Sequence, residues 1–532
     1  MIDKKEKNWI IKFSVVAIAI TSIPYLLGYL RAGEEWRFSG FVINLEDGNS
    51  YIAKMLRGAD GDWLFRTPYS AYPQQGFFSF LPYLLLGKLI SPPSMHEQAI
   101  ALFHLFRISG IFFLVYSIYT FLSSFLTEIN LRKFATGLVV FGGGVGWLSL
   151  IGISSLWNGR IPVEFYSPEA FGFLMIFDLP HLCFARGFLL LALRECIFLD
   201  SHSSAIVIIK KGILWVMIGV FQPLMIISGW LIVTAVWITF IFTKIKKMST
   251  SRAQFFSVGS LFRNSLIMLV FTVPFVAYNF LSFQFDPYLK SWLYQNILIS
   301  PPISDYFLAY IVYLPLALYG IFYLSRKNIS LALFISITIV LLIAAAYIPY
   351  SVQRRLIEGA FIFIIIATMV GISYLNKKVT RIIMLLSGIN FITTLIIIIG
   401  TVISAWNPRE PVFIDREKAN LFERLNVIGA KNKVILSSYS NSNQIPAWVP
   451  MFTLIGHGPE SANLEELGGD IIDFFDTGTP DNFRNSLIRD FNIQYIFYGP
   501  EEKQIGDWSP KNVTGFSLLA ENGPYEIYQV SK

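Results

Sequence analysis

The sequence predicts a polytopic α-helical membrane protein that carries a small α/β domain at its C-terminus. Hydrophobic residues make up 54% of the 532 residues and charged residues only 14%, whereas an ordinary soluble domain is about 25% charged. The apolar residues fall into runs close to the roughly 20 residues that span hydrocarbon as a helix. After residue 406 these runs stop, and short alternating segments typical of strands replace them.

Eleven membrane crossings account for the apolar runs and for the positions of the basic clusters. Short loops rich in Lys and Arg lie on the cytoplasmic side of a membrane. The clusters recur at every second turn, at residues 4–7, Arg132/Lys133, Lys210/Lys211, Lys244–Arg252, Arg326/Lys327 and Lys377–Arg381. The predicted crossings are approximately residues 9–30, 100–126, 134–153, 179–199, 206–221, 223–243, 263–283, 306–325, 329–349, 357–375 and 382–405.

Two shorter apolar stretches, residues 77–90 and 165–177, are predicted to lie at the outer interface or to re-enter the membrane. If both crossed, the number of helices would be 13. Either number is odd, so the N-terminus is predicted to be cytoplasmic and the C-terminus extracytoplasmic. The protein is therefore expected to be a multi-pass protein of the cell membrane, with residues 31–76 as its first outer loop.

The C-terminal residues 407–532 are predicted to form a separate soluble domain outside the membrane. They carry 11 basic and 17 acidic residues, whereas residues 1–406 carry 31 and 18. The basic excess thus belongs to the membrane part and indicates orientation, and no nucleic-acid partner is predicted. The predicted elements of the tail are a strand 434–438, a strand near 452–455, a helix near 481–490, a strand 495–498 and a hairpin of 516–520 with 525–530.

The first outer loop contains two adjacent carboxylates, Glu46 and Asp47, about fifteen residues past the first helix. An aromatic-rich run follows them and suits stacking on sugar rings. The aromatic candidates for contact with substrate are Tyr51, Trp63 and Tyr69. The alternative interpretation is that the two acids belong to an ordinary solvated loop.

This arrangement resembles the GT-C superfamily of membrane glycosyltransferases. The shared features are the acid after the first helix, the spacing of four between Asp47 and Tyr51, a Gly-Asp-Trp step and a Pro-led apolar helix. The superfamily includes protein O-mannosyltransferases, aminoarabinose transferases of lipid A and the catalytic subunits of oligosaccharyltransferases. The resemblance implies transfer of a sugar from a polyprenyl-phosphate donor to a glycan, lipid or protein acceptor, with inversion, and with Asp47 or else Glu46 as general base.

Basic and ionisable residues elsewhere complete the candidate site. Arg354 and Arg355 lie between two predicted crossings on the outer side, where they suit the donor phosphate, although they could equally contact lipid headgroups. Asp178 and His181 begin a helix and could bind the acceptor or a metal, or act only as a cap and a packing residue. Weaker candidates are Asp286, Lys290 and His457.

Cofactors and alternative functions stay open at the level of sequence. A divalent cation, Mg or Mn, is a candidate cofactor, and Asp178 and His181 are its only possible ligands among the candidate residues. The sequence contains no Gly-rich nucleotide-binding fingerprint, which disfavours a nucleotide-sugar donor. The alternative functions are a transporter or flippase for lipid-linked glycans, which would predict internal repeats, and a non-catalytic membrane assembly protein.

Overall fold

The computed structural model describes residues 2–198, 204–245 and 258–531, most of which are helical. The helices are α1 (Lys4–Arg31), α2 (Leu45–Ala59), α3 (Leu81–Gly87), α4 (Met95–Leu122), α5 (Ile129–Phe141), α6 (Phe173–Asp178), α7 (Pro180–Ile197), α8 (Ala205–Phe221), α9 (Met225–Ile245), α10 (Val258–Phe285), α11 (Pro287–Gln295), α12 (Ile303–Tyr310), α13 (Leu314–Lys327), α14 (Ile329–Ala345), α15 (Ala360–Ser373), α16 (Lys377–Leu386), α17 (Ile392–Trp406), α18 (Arg416–Val427), α19 (Tyr439–Gln444), α20 (Leu464–Phe475), α21 (Asp481–Asp490) and α22 (Pro500–Ile505). The strands are β1 (Trp36–Phe38), β2 (Phe413–Asp415), β3 (Val434–Leu436), β4 (Phe452–Thr453), β5 (Ile493–Tyr498), β6 (Phe516–Asn522) and β7 (Tyr525–Val530).

The chain is an integral membrane protein. Within the described ranges, six segments are long and apolar enough to cross a membrane, and a bent pair formed by α12 and α13 would make seven. Each of the eleven segments predicted to cross contains a helix, but several of these helices are shorter than 18 residues. Most of the basic cluster Lys244–Arg252 lies outside the described residues. The number of crossings and the orientation stay predictions.

Two predicted crossings are not single straight helices. The segment predicted at 134–153 becomes α5, which ends at Phe141 because three glycines follow it. A side chain on Gly144 would collide with the carbonyl of Ala309, so this glycine permits a close backbone approach. The segment predicted at 306–325 breaks into α12 and α13, whose axes differ by 82°. The apolar runs predicted that both segments are helical, whereas the backbone geometry determines that α5 ends early and that the chain bends between α12 and α13.

The described residues divide into two compact units. The first comprises Met1–Thr21, Phe106–Phe280 and Leu298–Gly400, and the second comprises Ser22–Leu105, Leu281–Ile297 and Thr401–Lys532. We call them the helical unit and the mixed unit. The mixed unit thus joins the tail to the first loop. The boundary predicted after residue 406 separates a membrane-spanning part from a soluble domain, and it stays a prediction.

The helical unit is organised around α15, which is buried along almost its whole length. It packs against α13, α14 and α5. Gly320 of α13 and Gly371 of α15 face each other's helix, where an added Cβ would collide with a backbone carbonyl. Small residues at such positions let helix backbones approach closely, which is the main way that helices associate in lipid.

The mixed unit contains a five-stranded sheet in the order β4-β3-β5-β7-β6. Strands β3, β4 and β5 run parallel to one another. Strand β7 runs antiparallel to both of its neighbours, β5 and β6. The tail's predicted strands and hairpin are all present, and α21 has the predicted bounds. A core of apolar side chains from β5, α20 and α21 packs around Ile496 and Phe475.

A second, two-stranded sheet joins the segments that follow the first and last long helices. Strand β1 pairs antiparallel with β2, with Trp36 opposite Asp415 and Phe38 opposite Phe413. Beside it, α2 packs on α3, and glycines at both contact points, Gly58 and Gly87, leave room only for backbone. The residues predicted as the first outer loop are therefore partly helical. Residues 36–38 of this loop pair with residues 413–415, and its helix α2 packs on α3.

Candidate active site

Asp47 lies in the first turn of α2. The helix begins after Asn44, whose left-handed backbone (φ 49°) turns the chain into it. Glu46 and Asp47 therefore stand at the helix N-terminus, where the helix dipole favours negative charge. The side chain of Asp47 is 49% exposed, whereas the residues that follow on α2 are buried. This carboxylate is accessible to a substrate while its backbone is fixed.

The imidazole of His457 contacts this carboxylate. Its Nε2 lies 3.0 Å from Oδ1 of Asp47, across 410 positions of sequence. The ring stacks on the fully buried Tyr69, with ring centroids 5.5 Å apart, and the backbone N–H of His457 donates to the hydroxyl of Ser461. The position of His457 is thus set by contacts on several sides.

A buried ion pair lies behind the imidazole. Nζ of Lys54 donates to Oε1 of Glu460 at 2.6 Å, and the two side chains are 1% and 4% exposed. The hydroxyls of Ser50 and Thr67 also donate to this carboxylate, at 3.2 and 3.0 Å. Nδ1 of His457 lies 3.6 Å from the same Oε1, which is too long for a hydrogen bond but within ion-pair distance. Lys54, Glu460, His457 and Asp47 therefore form one continuous chain of charged groups.

The charges in this chain hold each other in the ionised form. Burial alone would raise the pKa of Glu460, but Lys54 and His457 outweigh it, so the pKa lies below the ordinary value. Burial would likewise lower the pKa of His457, but the charge of Glu460 and the hydrogen bond to Asp47 outweigh it, so the pKa lies above the ordinary value. The imidazole therefore keeps its second proton to a higher pH than an ordinary histidine does.

Glu46 has a different environment from its neighbour. It accepts a hydrogen bond of 3.1 Å from the hydroxyl of Tyr439, which in turn accepts one of 2.8 Å from the backbone N–H of Gly458. Burial raises the pKa of Tyr439 to about 12, so its hydroxyl stays protonated and donates. Glu46 is thus tied to the segment that carries His457, whereas Asp47 contacts the imidazole itself.

The other predicted substrate contacts of the mixed unit have varied surroundings. Tyr51 is buried, and its ring stacks on Tyr83 with centroids 4.7 Å apart. Tyr69 is buried against His457, as described above. Trp63 is 66% exposed, with Nζ of Lys88 above its ring, and Lys290 is exposed on α11. Their contacts with a substrate stay predictions.

Arg354 and Arg355 belong to the helical unit. Arg354 lies over the ring of Tyr166 at 5.0 Å, and its buried Nε has no hydrogen-bond partner within the described part of the chain. Arg355 lies 3.8 Å from Glu169 and is 34% exposed. In the same unit, Arg160 makes two hydrogen bonds to the buried Asp305, at 2.9 and 2.8 Å.

The backbone around the two arginines is held by hydrogen bonds to a second segment. The backbone N–H of Arg354 donates to the carbonyl of Leu298, and the N–H of Leu298 donates to that of Ser351. Glu358, a few residues on, forms a buried bidentate pair with Arg186 at 2.6 and 2.8 Å. Arg354 is therefore a fixed cation whose guanidinium keeps one donor unused.

Asp178 and His181 flank the junction between α6 and α7 in the helical unit. Asp178 is fully buried at the end of α6, and His181 is half-buried in the first turn of α7. Among the described residues, no three His, Cys, Asp or Glu side chains are grouped so that they could hold a metal ion. Within that part of the chain, the structure therefore points to no ligand set for the candidate Mg or Mn.

Sequence reasoning overlooked two members of the charged chain and gave a third little weight. Lys54 and Glu460 were not candidates, and His457 was only a weak one. One local signal was present: Glu46, Ser50 and Lys54 recur at helical spacing and so share one face of α2. Nothing local could reveal the partners, since Glu460 lies 406 positions beyond Lys54.

Comparisons with known proteins identify the fold. No protein-family model matches the chain, and no curated protein matches it in sequence. Among solved structures, the apo oligosaccharyltransferase of Archaeoglobus fulgidus matches with a TM-score of 0.53 and 13% identity, over 93% of this chain and 70% of that one. The same enzyme, AglB, in complex with an inhibitory peptide and a dolichol-phosphate gives 0.54 and 13%, over 94% and 70%. The chain has the GT-C fold.

A further neighbour has nearly the same length as this chain. ArnT from Cupriavidus metallidurans bound to undecaprenyl phosphate is 11% identical over 98% of both chains, with a TM-score of 0.48. The predicted fold class is confirmed by the match to the archaeal enzyme. This chain therefore shares the fold of that archaeal oligosaccharyltransferase.

Proposed function

We propose that this protein is a membrane glycosyltransferase that transfers a sugar from a polyprenyl-phosphate donor to an acceptor on the outer side of the membrane. The observation that carries the proposal is the accessible carboxylate of Asp47, fixed on α2 at the end of a buried charged chain, in a protein of GT-C fold. The neighbouring AglB structure contains a dolichol-phosphate, which supports a donor of this chemical class. The acceptor is a glycan, a lipid or a protein.

The reaction requires one base and one stabilised leaving group. An acceptor hydroxyl or amine attacks the anomeric carbon, and its proton passes to the carboxylate of Asp47. The bond between that carbon and the phosphate oxygen breaks, and the oxygen keeps the electron pair, so the anomeric centre is inverted. A base placed in this way contributes about 10²–10⁴-fold in rate. Glu46, one residue earlier, is the alternative base.

The leaving phosphate gains negative charge as the bond breaks. Arg354 and Arg355 are the residues that we assign to it, because a guanidinium donates two parallel hydrogen bonds to phosphate oxygens. Arg355 suits the role because 34% of its side chain is exposed, whereas the unpartnered Nε of Arg354 is buried. The proposal therefore requires that the arginine pair and Asp47 face the same compartment.

A transfer assay tests the catalytic role. Membranes containing the wild type or Asp47→Asn would receive a radiolabelled polyprenyl-phosphate sugar, and labelled product would be extracted and counted. We expect Asp47→Asn to lower transfer by about 10²-fold or more, with unchanged protein level. Glu34→Gln, which changes an exposed acid of the same loop, is the matched control and should transfer normally. Transfer by Asp47→Asn at the wild-type rate would remove Asp47 from this role.

Cysteine labelling tests the orientation. The two native cysteines are buried, so they should give little background with a membrane-impermeant maleimide. Cysteines introduced at the exposed positions Glu34 and Tyr350 should both be labelled from outside intact cells. Labelling of either one only after permeabilisation would overturn the proposed arrangement of base and phosphate site.

A further inference from the structure

We infer that His457 is a charged bridge between two carboxylates and that it positions Asp47 for the transfer reaction, an inference that rests on the proposed function. Both ring nitrogens face a carboxylate oxygen. Nε2 lies 3.0 Å from Oδ1 of Asp47, and Nδ1 lies 3.6 Å from Oε1 of Glu460. The side chain is only 12% exposed, so little water can screen either interaction.

The requirement for a double proton follows from the geometry of the ring. A neutral imidazole has one N–H and one lone pair. With the proton on Nε2, the lone pair of Nδ1 would face Glu460, and with the proton on Nδ1, the lone pair of Nε2 would face Asp47. Each neutral form therefore sets a lone pair against a carboxylate. Only the imidazolium donates a hydrogen bond to Asp47 and at the same time presents an N–H and positive charge to Glu460 at ion-pair distance.

The groups around His457 agree with this charge state. Glu460 and Asp47 favour the cation, and Lys54 opposes it but is neutralised by its own contact with Glu460. From the remaining sides, Tyr69 offers its ring face and Tyr439 bonds the backbone next to the imidazole while its hydroxyl stays neutral. Burial opposes the charge, but the direction of the pKa shift of His457 shows that the carboxylates outweigh it.

The bridge has a direct consequence for Asp47. Because Nε2 of His457 contacts Oδ1 of Asp47, the ring sets the direction in which this carboxylate points. The buried pair of Lys54 and Glu460 anchors the far side of the ring, so Asp47 has one fixed direction although it is half exposed. His457 is thus a positioning residue. A pH above the raised pKa of His457 removes the positive charge beside Asp47, so the carboxylate should be held less firmly and transfer should slow.

Direct titration of the histidine tests the bridge without using activity. The full-length protein, labelled with ¹⁵N-histidine and reconstituted in nanodiscs, gives signals from five histidines, and His457→Gln identifies the relevant one. We expect His457 to titrate above 6.5, and Glu460→Gln and Asp47→Asn each to lower that pKa. Glu46→Gln, which changes a carboxylate that does not contact the ring, should lower it less than either. Titration at or below 6.5, or no response to Glu460→Gln, would overturn the bridge.

The dependence of transfer on pH tests the positioning role. In the wild type, kcat should fall on the alkaline side at the pKa that the titration gives, and Glu460→Gln should move this limb to lower pH. His457→Gln should lower kcat by about 10- to 100-fold with little change in KM and should lose the limb. A wild-type profile without that limb would overturn the positioning role. Normal titration in a protein that transfers from no polyprenyl donor would instead refute the proposed function and leave the bridge standing.

Discussion

Replacing Lys54 by Met would remove the nearer of the two cations beside the buried carboxylate of Glu460 and leave only the imidazole of His457, 3.6 Å away. The pair is almost completely shielded from water, with exposures of 1% and 4% and a separation of 2.6 Å. Removing one partner of a buried pair costs about 3–5 kcal/mol. Glu460 keeps the hydroxyls of Ser50 and Thr67 and can take up a proton, so we expect a loss near the lower limit, about 3 kcal/mol.

That loss can be measured as a change in melting temperature. For a unit of 150–250 residues, each kcal/mol shifts Tm by roughly 2–4 °C, so Lys54→Met should lower the apparent Tm by roughly 6–12 °C. Purified protein in detergent would be heated at one scan rate and one pH while its tryptophan fluorescence is recorded, because irreversible unfolding makes Tm depend on the rate. Lys433→Met, at an exposed lysine of the same unit, should change Tm little.

A double variant separates the ion pair from simple packing. In Lys54→Met with Glu460→Gln, no charge stays buried without a partner, and the amide can still bond Ser50 and Thr67. This double variant should therefore be more stable than Lys54→Met alone. The reasoning would be refuted if Lys54→Met had the same apparent Tm as Lys433→Met. It would also be refuted if Lys54→Met and Glu460→Gln lowered the apparent Tm additively in the double variant.

Three further predictions concern pH, helix packing and the tail. The pKa of Glu460 is lowered and that of His457 is raised, so the stabilisation from Glu460 is full above pH 4.5 and lost as the pH falls through the lowered pKa. The stabilisation from His457 is full below pH 6.5 and is lost as the pH rises through the raised pKa. The apparent Tm should therefore decline both below and above this pH range. His457→Gln should remove only the decline in Tm at high pH. Gly371→Leu should reduce the yield of folded protein in fluorescence-detected size exclusion, since its side chain would meet the backbone of α13, whereas Gly388→Leu enters open space and should not. Lys418→Met should lower the apparent Tm by roughly 6 °C or more, because the buried lysine pairs with Glu501 at 2.7 Å; a melting curve equal to that of the wild type would contradict it.

Local patterns predicted much of this fold. The Asn-Gly pair at residues 522–523 marks a hairpin, and β6 and β7 pair on either side of it. The helix at 481–490 has the predicted bounds, and every predicted crossing contains a helix. In each of these cases the signal lies within about twenty residues of the element that it predicts.

Features that depend on distant residues could not be predicted in the same way. Strand β1 is three residues long and pairs with residues 413–415, and nothing within either segment specifies that partner. The bend between α12 and α13 likewise reflects packing rather than composition. For the site, Asp47 could be singled out because it follows the first apolar run, but a lone histidine within a glycine-rich turn has no spacing that marks it. The roles assigned to Asp47, Glu46, Arg354 and Arg355 stay predictions until they are assayed.

The link between Asp47 and His457 has a consequence for biosynthesis. A ribosome makes the imidazole of His457 410 codons after the carboxylate of Asp47, and it makes the partner strand of β1 about 375 codons after β1 itself. An unfinished or truncated chain therefore holds this acid without its histidine partner. Under the proposed function, competence for transfer arises only after residue 457 has been made, so termination before it would yield an inert membrane protein.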